Sequence, residues 1–338
     1  MAEKVTLKDI AREVGLSPSA VSLVLNDRPC RISEESRRRI KEVAEKKRYV
    51  PNQIARSLVT RRSKTIGFIV PNIESRFFSS LARNLEVRCR ECGYALLIVN
   101  SDFSPEREDE LIHMLLNRGV DGLFLVTASA ADPDAALIEM LAGLPIPLVM
   151  VDRSIESVPC DRVRFDFELG GYLATSHLLE FGHSRIACLV NTTSQPGRLR
   201  LAGFRRAMNE HGLPVDERLV FESDYTIADG AQAALGVLRT DATAIFASSD
   251  NIALGALKSL YAAGKRVPRD YSLVSYDNST ADALFEPSLT AIEQDSSELA
   301  QNAIDLMVAR LNAGSSFQEF EDRVLPPRLV VNQSVASL

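Results

Sequence analysis

Ten polar or aromatic side chains stand just after short apolar runs, where a folded chain presents side chains at the ends of buried strands. Phe77 and Phe78 follow the first run, Asn100 and Asp102 the second, and Asp152 and Arg153 the fourth; Arg200, Tyr225, Asp250 and Asp277 follow later ones. Aromatic faces with carboxylates, an amide and guanidinium groups suit a polyhydroxylated ring, whose hydroxyls need paired donors and acceptors and whose C–H faces stack. Asp250 is equally suited to capping the helix that begins at Asn251, and Phe77 to core packing. Catalytic patterns find little support. There is no phosphate-cradling GxxxxGK and no GxSxG, and His113, His177, His183 and His211 form no zinc-spaced pair. His183, in FGHSRI, reads as part of a helix-to-strand turn. Cys89 and Cys92 make a CxxC late in a helix without a second pair. No catalytic residue, cofactor or metal is expected.

The elements that must position these residues alternate. TIGFIV, YALLIV, DGLFLV and PLVMV read as strands buried on both faces, separated by helices beginning near Phe77, Pro105 and Pro133. RIACLV, ATAIFA and YSLVSY repeat the pattern, with helices near Gly197, Ile227 and Asn251. Such alternation predicts parallel sheets with helices on both faces, and ligands outside the carboxyl ends of the strands.

Charge separates this body from its head. Residues 1–64 hold 16 Lys and Arg against 8 Asp and Glu, a net of +8, while the rest hold 23 against 37, a net of −14. A basic head fits nucleic-acid binding, with an ordinary solvated surface as the alternative. At 338 residues and 46% apolar content the chain can build two or three cores. No run of about eighteen apolar residues occurs, and MAEKVTLKDI lacks the apolar stretch of a signal peptide. Five cysteines argue against a disulfide framework. These features lead us to expect a cytoplasmic protein without a membrane partner.

Within the head, Thr6 can cap a helix with Asp9 three residues on, and Leu7, Ile10, Ala11 and Val14 give it an apolar face. Gly15 ends it. Ser17 and Pro18 start a second helix only three residues later, with Val21 facing the first. Small Ala11, turn-forming Gly15 and buried Val21 are the fixed offsets of a helix-turn-helix; a generic three-helix bundle is the bland alternative. A third helix follows from Ser33, with Glu34 and Glu35 in its first turn and Lys46, Lys47 and Arg48 in its last. In the DNA reading the helix from Ser17 to Asn26 enters the major groove. Pro18, Ser19 and Leu23 then face base edges, while Thr6, Ser22 and Asn26 suit phosphates. The segment PNQIARSLVTRRS is helix-like but too short to be stable alone.

TLKDIAREVGLSPSAVSLVLN, ISEESRRRIKEVAEKKRYVPNQIARSL, TIGFIVPNIESRFFSSL, GHSRIACLV, RLAGF, SSDNIALGAL, VPRDYSLVSYDN and SLTAIEQD together resemble the lactose-repressor (LacI/GalR) family of bacterial transcription regulators over almost the whole chain. The resemblance implies an all-α helix-turn-helix domain at 1–50, a hinge helix and linker at 51–64, and an α/β sensor at 65–338. The sensor is of the periplasmic-binding-protein kind, with two parallel-sheet lobes. Lobe one is expected at about 65–165 and 294–323, lobe two at about 166–293 and 324–338.

The resemblance further implies that paired hinge helices of a homodimer lie in the minor groove of a palindromic double-stranded operator. Leu58 is then wedged into the central base step, an insertion that kinks the duplex. Asn52 belongs to that helix, small Ala55 admits its partner, and Arg56, Arg61 and Arg62 can reach the backbone. Leu58 as a core residue of the body is the alternative. In the sensor, Asp152, Arg200 and Asp277 match ligand-binding positions, Tyr225 an aromatic stacking position, and Phe77 and Phe78 an aromatic pair near the pocket. Ser249 stands where some sugar-binding members carry asparagine. The implied activity is repression modulated by a small metabolite, with a sugar the expected effector and a purine the alternative. A plain carbohydrate-binding protein is the rival of another class.

Overall fold

The computed structural model describes residues 5–25, 29–49, 62–128, 135–279, 287–313 and 319–338. They form two compact units, 1–63 and 64–338.

In the first unit, helix α1 (Leu7–Val14) begins with the Asp9 carboxylate accepting the Thr6 backbone N–H at 2.9 Å. It stops at Gly15, whose φ of 71° lies in the left-handed region that glycine enters without strain. Helix α2 (Pro18–Leu25) starts with Ser17 Oγ accepting the Ala20 N–H. Helix α3 (Glu34–Lys46) starts with Ser33 accepting from Ser36. Ile10, Ala11, Val21, Val24, Ile40 and Ala44 close the core between the three. Lys47 and Arg48 fall just past α3 and not in its last turn, because the chain reverses there with Arg48 at φ 50°. Lys47 pairs instead with Glu13 at 2.7 Å.

The second unit holds two six-stranded sheets. Strand β1 (Thr65–Val70) leads through α4 (Arg76–Glu91) to β2 (Ala95–Asn100), and through α5 (Pro105–Asn117) to β3 (Gly122–Leu125). Helix α6 (Ala135–Ala142), β4 (Leu148–Val151) and β5 (Asp161–Phe165) follow. The chain then crosses into α7 (Phe167–Glu180), β6 (Ile186–Val190) and α8 (Gln195–Glu210), and continues through β7 (Val220–Glu222), α9 (Ile227–Val237), β8 (Ala244–Ala247), α10 (Asp250–Ala262), β9 (Ser272–Asp277) and β10 (Thr290–Glu293). Helix α11 (Ser296–Ala313) and β11 (Asp322–Leu325) return to the first lobe, and β12 (Arg328–Val330) ends in the second.

The sheet orders are β11-β5-β4-β3-β1-β2 and β12-β10-β9-β8-β6-β7. All pairings are parallel except β12 with β10. Continuous apolar runs such as IACLV are fully buried because helices cover both faces. The expected lobe boundary after 323 needs correction. Val324 and Leu325 pair with Arg164 and Phe165 inside the first sheet, so the last crossing lies at Pro326 and Pro327. DRVL hides this because it is a half-exposed edge strand that opens on two adjacent charges.

Candidate functional site

In the helical unit, burial of Val21 and Val24 turns the other side of α2 outward. Thr6, Ser17, Pro18, Ser19 and Leu23 are exposed and Ser22 is half-buried. The Thr6 hydroxyl donates to Asp9 at 2.6 Å and Ser17 Oγ is the α2 cap, so both hydroxyls are already oriented by local bonds. Asn26, Asn52, Ala55, Arg56 and Leu58 lie outside the described residues, as does Arg61.

In the two-lobed unit, loops after the strands enclose a cleft. It is lined by Phe77, Phe78, Asp152, Arg153, Arg200, Tyr225, Ser249, Asp250 and Asp277, together with Phe103, Arg76, Asn72 and Gln294. Asp152 directly follows β4 and Asp277 ends β9, at φ 64° and 88°. Carboxylate residues tolerate the left-handed region better than branched or bulky ones, and strained backbone gathers at functional sites.

Arg200 comes from α8, whose first turn is capped by Ser194. A Cβ on Gly171 of α7 would come within 2.0 Å of the Arg200 carbonyl oxygen. Glycine there lets the two helices run backbone against backbone, which fixes where the guanidinium emerges. That group is 4% exposed, donates to Ser248 O at 2.6 Å and Gln294 Oε1 at 3.1 Å, and lies 3.6 Å from Asp277 Oδ1. It also stacks 3.7 Å above the Tyr276 ring.

Burial pushes the Asp152 carboxyl up to about 6, against the pull of Arg153 and Arg200. Burial likewise raises Asp277, opposed by Arg200. Four buried polar atoms around the cleft have no hydrogen-bond partner among the described residues: Asp152 Oδ1, Arg153 Nε, Arg200 Nε and Gln294 Nε2. One acceptor and three donors converge from both lobes and the crossing between them.

The remaining sequence candidates divide. Ser249, not Asp250, caps α10 by accepting the Ile252 N–H. Asp250 lines the cleft, but its carboxylate is engaged by Ser275 at 2.7 Å and by the Ser279 N–H and hydroxyl at 2.8 Å. Phe77 and Phe78, each 5% exposed, pack edge to face in the lobe-one core and reach the cleft with one edge. Tyr225 is held by Ser194 Oγ at 2.8 Å. Asp102 is a correction: its carboxylate turns back onto Asn100 and Arg107 and does not line the cleft. Asn100 is a brace as well, accepting the Ile73 N–H. The next residue, Phe103, takes the expected place. Sequence reasoning missed Phe103 and Gln294; the second was legible as a crossing point but not as a hydrogen-bonding group. His183 pins Thr243, Ser272 and the Ala336 carbonyl, a structural role in keeping with its turn. Burial raises the Cys89 thiol to about 12, which makes it a poor nucleophile.

A helix-turn-helix unit followed by a two-lobed sensor with a polar cleft defines a class, the effector-responsive DNA-binding transcriptional regulators. Residues 6–52 match the family of bacterial regulatory proteins, lacI family, and residues 175–335 match the periplasmic binding protein-like domain. The chain is 33% identical to the HTH-type transcriptional regulator DegA of Bacillus subtilis (strain 168), over 99% of both chains. Its structure resembles the lac repressor dimer bound to operator and the anti-inducer ONPF, with a TM-score of 0.87 and 26% identity over 99% of this chain and 100% of that one. A LacI family transcriptional regulator from Enterococcus faecium with bound ribose matches with a TM-score of 0.73 and 33% identity, over 81% of this chain and 99% of that one. The chain belongs to the LacI family. It is a DNA-binding transcriptional regulator and not an enzyme. No helix among the described residues is long and apolar enough to cross a membrane.

Proposed function

We propose that the protein is a repressor that binds a palindromic operator as a homodimer, and whose operator affinity changes when an uncharged sugar occupies the cleft. The observation that carries the effector reading is the set of four unpartnered buried polar atoms on Asp152, Arg153, Arg200 and Gln294. A buried donor or acceptor left unbonded costs ~1–3 kcal/mol, which a ligand bearing several hydroxyls relieves. Charge supports an uncharged ligand: Arg76, Arg153 and Arg200 face Asp152, Asp250 and Asp277, three against three. In this reading Asp152, Arg153, Arg200, Asp277 and Gln294 bond hydroxyls, Tyr225 and the Phe77 and Phe78 edges meet the C–H faces, and Ser249 borders the ligand. Pro18, Ser19 and Leu23 contact base edges, and Thr6, Ser17 and Ser22 contact phosphates.

The test is thermal unfolding of the full chain against a panel of neutral sugars, with ribose first, beside sugar phosphates and nucleobases. A ligand at 100 times its dissociation constant adds ~2.7 kcal/mol of stability to the unit that binds it. A shift with a neutral sugar, and a change in operator affinity with that same sugar, is the expected result. A shift confined to nucleobases moves the effector to a purine, and a sedimentation mass other than that of a dimer removes the homodimer.

A further inference from the structure

Helix α5 turns one carboxylate inward. Glu108, in its first turn, is 0% exposed, while its charged neighbours are engaged elsewhere: Glu106 accepts the Ser104 hydroxyl at the helix start, and Arg107 pairs with Asp102. The two Glu108 oxygens divide between donors just past β3. Oε1 accepts the Thr127 hydroxyl at 2.9 Å, and Oε2 accepts the Ala128 backbone N–H. Among the described residues, Arg153, from the turn after β4, is the charged group that acts on this carboxylate from a neighbouring element. Burial pushes the Glu108 carboxyl up to about 7, against the pull of both hydrogen bonds and of Arg153.

The surroundings give that carboxylate something to control. Arg153 lines the cleft, and it lines the space beside the cleft together with Thr127 and Ala128. Its guanidinium lies 5.3–5.6 Å from the centres of the Phe78, Phe103 and Tyr225 rings, and Asp152 and Glu108 act on it by charge. A proton on Glu108 obliges one oxygen to donate. The Thr127 hydroxyl can turn round and accept it; the Ala128 N–H cannot, and its bond loses the charge that strengthens it. Arg153 at the same time loses one of the negative charges acting on it.

Resting on the sugar reading above, we propose that Glu108 is a positioning residue of the effector site: ionised, it fixes Thr127 and Ala128 and steadies Arg153, so the effector binds the ionised form more tightly than the protonated one. Effector affinity then rises with pH through neutrality, and binding expels a proton, since a ligand that prefers the ionised form lowers the proton affinity of the carboxyl. Asp152 and Asp277 are also raised by burial inside the cleft, and comparison with Glu108→Gln separates Glu108 from them.

The experiment is calorimetric titration of the full chain and of Glu108→Gln with ribose, glucose, galactose and cellobiose. Glutamine keeps the shape, still accepts the Ala128 N–H and cannot ionise, so it stands in for the protonated acid. The sugar that binds is expected to bind the variant about tenfold more weakly than native at about pH 8.5 and equally at about pH 5.5, tenfold being one unit of displacement of the carboxyl on binding. At about pH 7, in buffers of differing ionisation heat, the native chain is expected to release protons that the variant does not. Thr127→Val removes a donor to the ionised form and is expected to move the rise in affinity to higher pH, whereas a side chain that merely packs would weaken binding by one factor at every pH. Identical pH profiles and proton release in native and Glu108→Gln chains, or a rise that stays in place in Thr127→Val, overturn the assignment and leave the sugar reading intact. Silence of the native chain with every sugar at both pH values overturns both.

Discussion

Asp152 is the residue at which stability and ligand binding are most directly opposed. Its carboxyl is raised by burial to about 6 in the folded chain, above the ordinary 3.8, so between these values the native state holds a proton that the unfolded chain has lost. Stability contributed by that proton is present at low pH and lost as pH rises through about 6. Asp152→Asn is therefore expected to match the native chain in stability near pH 4 and to exceed it by roughly 1–3 kcal/mol above pH 6, while losing sugar affinity. Urea unfolding at the two pH values checks this, and an advantage already present at pH 4 refutes it. Arg200 behaves in the opposite way. Arg200→Met strands the Ser248 carbonyl, Gln294 and the Asp277 carboxylate, and breaking such a buried ionic cluster costs about 3–5 kcal/mol. Unchanged unfolding of that variant refutes the clustering role. Asp152 was legible because a polar side chain right after a buried strand has one place to go, whereas Arg200, inside α8, was legible through the family resemblance. Asp102 followed the same rule and failed, because the left-handed turn at 102 and 103 exchanges the directions of two neighbouring side chains, and nothing in the residue types announces that turn.

Among the elements, α1 and α2 illustrate how little holds the helical unit. Its core is six buried side chains, so Ile10→Ala is expected to cost about 2–5 kcal/mol and to abolish operator binding while leaving the sugar-induced thermal shift of the sensor intact. Gly15→Ala meets no neighbouring atom, so its cost is the left-handed backbone alone, about 1–2 kcal/mol. Operator titrations of the two variants at rising temperature order them, and a Gly15→Ala chain indistinguishable from native removes the turn argument. The helix-turn-helix was readable because caps, Gly15 and Pro18 are local signals. In the sensor, strands buried on both faces were readable as apolar runs. DRVRF and DRVL were not, since each opens on two adjacent charges, and FELGGYLATSHLLE conceals its helix behind two glycines that serve packing and not flexibility.

At the scale of the whole molecule, the proposal requires that operator and effector report on each other. The factor by which the effector changes operator affinity must equal the factor by which operator changes effector affinity, since both express one coupling free energy. Calorimetry of the effector with and without operator, beside operator titrations with and without effector, gives both ratios; ratios of one in both directions refute linkage between the two sites. The basic head also predicts that log operator affinity falls with log salt, by ~0.9 per neutralised phosphate.

The order in which the chain builds its lobes carries a further consequence. Helix α11 supplies Leu299, Ala303, Ile304 and Met307 to the lobe-one core, and β11 completes that sheet, although both follow nearly all of lobe two. Ser334 then ties Thr290 to Leu273 in the second lobe. Neither lobe can therefore close its core before α11, β11 and Ser334 have been made, so the two lobes of the sensor mature together rather than one after the other.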